Sequence, residues 1–393
     1  MINGSRMIND YELGYYKVND LTFTNKAQAV LAADQLNASI TWNFFDDIWT
    51  QWIESYRSTL GHISLDELYK QRALQIRDQY DYLILNYSGG SDSHNILMTF
   101  LKNNIKLDEI YVRYSTTVDQ KIYRPNILDT SSSNIFSEYD FCIKPTLEYV
   151  ARYYPQIKIT VGDMFQGVTP DIVDDDLFLK THHHMGAFFT LRIAAESNNI
   201  LRLTNQGQRV GVMIGVDKPH CIISDNKFYM YFMDAALVPA VSLNDKTHNT
   251  ELFYWSIDFP QLAFEQAWQC YQWIKTNIEH HTKIDINQWK HLHGIDRETQ
   301  FLDNLLWFND VCKEIIYTTW DYRFQTDKGR LYLPAGLDKD KFYLDHSELN
   351  AFVDRFNYQH QGLIQGIHNQ DLLTSAKTFR ACMSKFYYIG NLE

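Results

Sequence analysis

The residues best equipped for chemistry in this chain stand together as Ser88-Gly89-Gly90-Ser91-Asp92-Ser93. A bulky apolar run, Tyr82 to Leu85, precedes them, and an amphipathic stretch follows to Leu101. That order reads as a buried parallel strand, a tight turn and a helix start. Gly89 and Gly90 carry no Cβ to keep a ligand from the backbone, and they permit φ > 0. Ser88, Ser91 and Ser93 add hydroxyl donors. The helix start offers unpaired N–H groups and the positive end of a dipole, a seat for an anion and most naturally for a phosphate. Asp92 would repel that anion unless a cation intervened. A magnesium ion bridging its carboxylate to phosphate oxygens reconciles the two charges.

A second constellation is Ile214-Gly215-Val216-Asp217-Lys218-Pro219-His220. Gly215 allows close approach, Asp217 is a candidate magnesium ligand, and Lys218 is placed to neutralise phosphate charge. A Pro-stiffened hairpin turn in which Asp217 caps its own backbone is the blander reading. Arg209 and the Lys339/Lys341 pair join Lys218 as candidate cations for transition-state charge. The run His182-His183-His184 does not read as a metal site, because neighbours on a helix point about 100° apart. Asp174-Asp175-Asp176 reads most simply as an acidic loop before a helix, with a second metal site as the lesser reading.

Strand–helix alternation supplies the frame for these residues. The strands expected are Tyr82–Leu85, Glu109–Tyr114, Ile157–Val161 and Arg209–Val216. The helices expected between them are Leu65–Tyr80, opened by a Ser64/Glu67 capping box, then Thr146–Tyr154 and Thr181–Asn198. This is α/β patterning, a doubly wound, mostly parallel sheet with its ligand crevice beyond the C-terminal strand ends. Before it, Tyr15–Val18 and Leu21–Phe23 pair through an Asn19-Asp20 turn. A helix capped by Thr24 runs to Leu36, and an aromatic helix runs from Trp42 to Tyr56. The spacing of its aromatics favours core packing over base stacking. Cys221–Ile223 and Phe228–Met233 form a hairpin, and residues 250–393 read as mainly helical. Three regions result: 1–64 with the N-terminal hairpin and helices, 65–245 with the α/β domain, and 246–393 as a helical C-terminal region that docks on it.

Bulk properties exclude several classes. With 26 Tyr, 23 Phe and 9 Trp the chain has ample material for a core, so disorder is excluded over most of its length. A net charge of −12 without a basic run disfavours stable nucleic-acid binding. The sequence has no apolar stretch of membrane-spanning length, and its first residues lack the apolar core of a signal peptide. Cys142, Cys221, Cys270, Cys312 and Cys382 are scattered without a CxxC pair, which fits free thiols in a reducing cytoplasm.

The loop string matches the SGGxDS signature of the PP-loop, or N-type, ATP pyrophosphatases, and the chain resembles the asparagine synthetase-like branch of that superfamily. Neither GxxxxGK[ST] nor GxGxxG is present. The resemblance implies an adenine nucleotide alpha-hydrolase-like fold. It implies that Ser88, Gly89, Gly90, Asp92 and Ser93, with Ser91 in the same loop, hold the pyrophosphate half of ATP and its Mg2+. It places Arg113 and Ser115 near adenosine. It implies attack of a carboxyl or carbonyl oxygen on the α-phosphorus, release of pyrophosphate, and displacement of AMP by an amine or ammonia. The firm match covers about residues 65–101. The second loop departs from that branch, which carries an acidic pair followed by glycines where this chain has Asp217-Lys218-Pro219. Phe253-Tyr254-Trp255-Ser256 resembles the helical part of the asparagine synthetase domain. Scattered cysteines speak against sulfur transfer. Ile2 stands where a glutaminase half would begin with Cys, so ammonia arrives free or from a partner. The acceptor is an unknown small-molecule or amino-acid-like substrate. Two alternatives stay open: a phosphoadenylylsulfate reductase-like enzyme using Cys382, and a non-catalytic ATP- or AMP-binding module.

Overall fold

The computed structural model describes residues 13–114, 136, 138–163, 198–237, 249–281, 306–307, 313, 315–317, 347–373 and 379–392. Its centre is an all-parallel sheet of five strands: β4 (Tyr82–Asn86), β5 (Glu109–Tyr114), β6 (Lys158–Asp163), β7 (Val210–Ile214) and β10 (Asn249–Leu252). The order across it is β10-β7-β4-β5-β6. Leu83, Ile84 and Leu85, and every residue of β7, are buried, as continuous apolar runs in covered parallel strands require. From β4 the chain proceeds outward through β5 and β6, then returns to lay β7 on the other flank, with β10 beyond it. The switch point therefore lies between β4 and β7, the place where ligands of such sheets bind.

Helices α3 (Leu65–Gln79), α4 (Ser91–Lys102), α5 (Lys144–Tyr153) and α6 (Asn198–Asn205) alternate with these strands. The Ser64 hydroxyl accepts from Glu67 N–H and caps α3, while the Glu67 carboxylate turns to Lys70 and Gln71. Ahead of them, β1 (Tyr15–Val18), β2 (Leu21–Phe23) and β3 (Thr41–Asn43) form a small antiparallel sheet. Helix α1 (Lys26–Leu36) is capped by Asn25, not Thr24, because Asn25 Oδ1 is the side-chain oxygen that accepts from Gln28 N–H. The aromatic helix is shorter than its sequence implies. Trp42 lies on β3, paired with Tyr16, and α2 (Asp46–Tyr56) starts only after Phe45 turns left-handed. The aromatics do pack the core: Trp42, Phe44 and Trp49 are buried, and Phe44 and Trp49 both meet Phe232.

Beyond residue 246 the described residues include strands as well as helices. Besides β10, they supply β11 (Leu306–Trp307) and β12 (Tyr387–Asn391) to a second, antiparallel sheet, built on the hairpin β8 (His220–Ser224) and β9 (Lys227–Tyr231). Asp225 and Asn226, both at positive φ, make the two-residue turn that this hairpin needs. Helix α7 (Pro260–His281) lies on α3, and α8 (Ser347–Gln365) leads to Ile367, which packs with Ala27 and Val30. The C-terminal segments are thus docked on the rest. The expected helix over 181–198 falls outside the described residues except for Asn198. No helix among the described residues is long and apolar enough to cross a membrane.

A buried ion pair holds the ends of the chain to this frame. Lys26 Nζ lies 2.6 Å from Asp234 Oδ2, the Tyr16 hydroxyl donates to the same oxygen, and Cys382 N–H donates to Oδ1. Removing one partner of such a pair leaves the others desolvated and unmatched. Asp234→Ala is expected to lower unfolding free energy by about 3–5 kcal/mol, read from urea denaturation followed by circular dichroism.

Candidate functional site

β4 ends at Asn86, and Tyr87 N–H continues the pairing by donating to Tyr111 O at 2.8 Å. The chain then turns through Ser88–Gly90 into α4. Gly89 sits at φ +78°, and a Cβ there would stand 2.5 Å from Ile143 Cγ1. A side chain is therefore excluded twice, by backbone strain and by the π-helical turn Tyr139–Ile143 packed behind the loop. Gly90, at φ −77° and ψ 164°, is extended and does not use the left-handed region that its residue type permits.

Two of the three serines bond within the loop itself. Ser93 Oγ accepts from Ser88 N–H at 3.2 Å and donates to Gly90 O at 3.1 Å, with the Ser88 hydroxyl 3.1 Å away. These hydroxyls brace the loop. What remains for an anion is backbone and the Ser91 hydroxyl. Gly90, the residue that opens α4, offers no side-chain cap, unlike Asn25 at α1 and Ser64 at α3. The first-turn N–H groups of α4 thus keep their ordinary need for an acceptor from outside the helix.

Asp92 is half-buried in that first turn, and buried tyrosines surround it. The Tyr317 hydroxyl donates to Asp92 Oδ1 at 3.0 Å, and the Tyr254 hydroxyl donates to its main-chain oxygen at 2.8 Å. Ser91 Oγ is 3.5 Å from Oδ2, the more lightly held oxygen. Behind them, Gln266 Nε2 donates to Tyr69 at 3.1 Å and to Tyr317 at 3.4 Å. Burial, joined by the Asp92 charge, pushes Tyr254 and Tyr317 well above the ordinary phenol range, so both are donors. The sequence pointed to neither tyrosine as a site residue. Tyr254 follows β10, a strand without an apolar run to mark it. Phe253–Ser256 is a bend after that strand, not part of a helix.

The second constellation does reach the loop, through Gly215. A Cβ on Gly215 would lie 2.8 Å from Ser93 N, so the close approach it permits is that of the α4 backbone. Asp217 Oδ1 accepts from Lys218 N–H at 2.7 Å and from Lys218 Nζ at 3.1 Å, and His220 Nε2 is 3.4 Å from Oδ2. Burial works to raise the Asp217 pKa, but Lys218 and His220 outweigh it and hold the carboxyl below its usual range. A cation at Asp217 would compete with both neighbours. Among the described residues, no group of three or more His, Cys, Asp or Glu gathers as a metal site. Among the described residues, Asp92 is the carboxylate with an oxygen to offer at the loop.

Arg113 lies near the C-terminal end of β5, at the same sheet edge as the loop. Arg209 is at the opposite edge, just before β7, in a two-point ion pair with Asp81. That position removes it from the candidates for transition-state charge. Ser115, Asp174–Asp176, His182–His184, Cys312, Lys339 and Lys341 lie outside the described residues. Cys382 is 3.8 Å from Arg380 O, and its main chain bonds Asp234; burial and the Asp234 charge push its thiol up to about 12. That is opposite to what a reactive thiolate needs.

Comparison with models of protein families, with curated proteins and with solved structures returned no match.

Behind the loop, the Tyr87 hydroxyl is 3.0 Å from His94 Nδ1 and 3.3 Å from Cys142 Sγ. Burial, with a smaller push from Lys102, lowers His94 to about 4. The unfolded chain takes up this proton near pH 6.5, before the folded one does, so stability falls as pH drops from about 6.5 to about 4. His94→Gln is expected to flatten that part of the stability–pH curve by roughly 3 kcal/mol, measured by urea denaturation at stepped pH.

Proposed function

We propose that the chain is an ATP-dependent, AMP-forming ligase of the PP-loop type, which adenylylates an oxygen of a small substrate and passes the activated group to an amine or ammonia. One observation carries this reading. The Ser88–Ser93 string ends the central strand β4 at the switch point of a five-stranded parallel sheet, on a helix start without a side-chain cap. Ligands of such sheets bind there, and backbone amides at a helix start suit a polyphosphate.

The residues present fit a magnesium–triphosphate. The left-handed turn at Gly89 closes the loop without a side chain, and among the described residues Asp92 Oδ2 is the lightly held carboxylate oxygen at the loop. When bound, magnesium neutralises pyrophosphate charge as that group leaves. The protein's part is to hold and orient. The first-turn amides of α4 seat the leaving pyrophosphate, and the buried Lys218 brings positive charge to the exit of β7, fixed by Asp217. The substrate oxygen bonds to the α-phosphorus as the α–β phosphoanhydride bond breaks. The nucleophile nitrogen then bonds to the activated carbon, AMP departs with the oxygen, and the nitrogen loses its proton. The raised thiol of Cys382 and its contacts at Asp234 speak against a thiol-dependent reductase.

With α-labelled ATP, Mg2+ and a mixture of small carboxylic acids and amines, the expected products are AMP and pyrophosphate. Asp92→Ala is expected to reduce their formation at least about a hundredfold with the circular-dichroism spectrum kept, the scale of losing a main electrostatic contact. ADP as the product, binding without turnover, or equal turnover by Asp92→Ala would overturn the proposal.

A further inference from the structure

We infer that Tyr317 is a positioning residue for Asp92, fixing the carboxylate through Oδ1 so that Oδ2 is presented to the cation that accompanies a nucleotide. The inference rests on the nucleotide reading above and adds to it a residue from a distant part of the chain, 225 positions away.

The direction of the hydrogen bonds is what assigns the role. The Tyr317 oxygen is 3.0 Å from Asp92 Oδ1 and 3.4 Å from Gln266 Nε2. A phenol has one proton to give. The Gln266 amide is a donor on its Nε2 side, so it fills the acceptor role of the Tyr317 oxygen and the Tyr317 proton points at Asp92. The reversed amide would claim that proton and leave two bare oxygens 3.0 Å apart at Asp92. Gln266 is itself held, because the same Nε2 also donates to Tyr69, whose hydroxyl donates to Ile316 O next to Tyr317. Tyr69, Gln266 and Tyr317 are buried, so water does not compete for these bonds.

The two oxygens of Asp92 are consequently unequal. Oδ1 takes a buried phenol; among the described residues Oδ2 has only a long contact to Ser91 Oγ. Tyr254 anchors the same residue through its main chain, so the turn is fixed as well as the side chain. Outer partners of this kind orient a ligating carboxylate, and their loss commonly weakens metal binding about 10- to 100-fold. The phenol also disperses some carboxylate charge, an opposing effect that a single neutral donor leaves smaller than the gain in orientation.

Binding of α,β-methylene ATP, titrated calorimetrically at stepped Mg2+ concentrations, tests this. In Tyr317→Phe the Mg2+ concentration at half-maximal binding should rise about tenfold, while nucleotide affinity at saturating Mg2+ stays within about twofold of wild type. Asp92→Asn and the Asp92→Asn/Tyr317→Phe double variant should have the same Mg2+ dependence as each other, because the carboxylate that Tyr317 orients toward the cation is already gone. Gln266→Leu, which leaves both Tyr317 and Asp92 in place, should move the midpoint the same way by a smaller factor, and it decides the matter if Tyr317→Phe fails to fold. A merely structural role would lower the melting temperature and leave the Mg2+ midpoint unmoved in both variants, which overturns the inference. Wild-type protein that binds no nucleotide at any Mg2+ concentration overturns the parent proposal instead.

Discussion

Gly215, just past the end of β7, lies so near the first turn of α4 that a Cβ would stand 2.8 Å from Ser93 N. This contact of backbone on backbone joins the two strand exits that flank the switch point. It is possible only because β4 and β7 are neighbours in register, Asn86 opposite Ile214, so their exit loops leave the sheet at one level. Any side chain at 215 would push the α4 start off the strand end and open the loop that Ser88 and Ser93 brace. The positive φ of Gly89 and its packing on Ile143 close the same loop from behind. The geometry of the candidate site thus depends on two glycines, each with a physical reason to be small.

Around that contact the chain assembles from distant parts. β10 extends the sheet beyond β7, and Phe253 N–H continues the pairing to Ile214 O. Arg72 of α3 donates to the main-chain oxygens of Leu252 and Phe253 and pairs with Glu251, which fixes the exit of β10. Tyr254 follows at once and reaches Asp92. Helix α7 contributes Gln266, and Tyr317 completes the group. Residues far past the glycine loop therefore supply its polar surroundings, a division of labour in which the sheet positions the backbone and the C-terminal segments hold the carboxylate.

The legible parts of this fold are those with a local signal. β4 and β7 are apolar runs because inner parallel strands are covered on both faces, and the bounds of β4, β5, β6 and β7 match the sequence reading to within about two residues. The Ser64 cap and the Asn19 and Asp225-Asn226 turns were legible for the same reason, since each is decided by a few adjacent residues. β10 was not. Asn249-Thr250-Glu251-Leu252 is an edge strand whose Glu251 is satisfied by Arg72 and Tyr80, partners about 180 positions away. Trp42 was misplaced because closely spaced aromatics fit a helix pattern, whereas pairing with β1 puts it on a strand. At the site, the loop itself was legible. The use of its serines as braces, the engagement of Asp217 by Lys218 and His220, and the tyrosines on Asp92 were not, because each depends on side-chain directions set by packing.

The account stands on a triphosphate seated on the amides that open α4, with its cation on Asp92. A crystal structure of the protein with Mg2+ and a non-hydrolysable ATP analogue tests this most directly. The account predicts phosphate oxygens within hydrogen-bond reach of the main chain between Gly89 and Ser93, and a metal ion on Asp92 Oδ2 with Tyr317 still on Oδ1. A triphosphate lodged elsewhere, or a loop sealed by side chains with no phosphate against it, would contradict it.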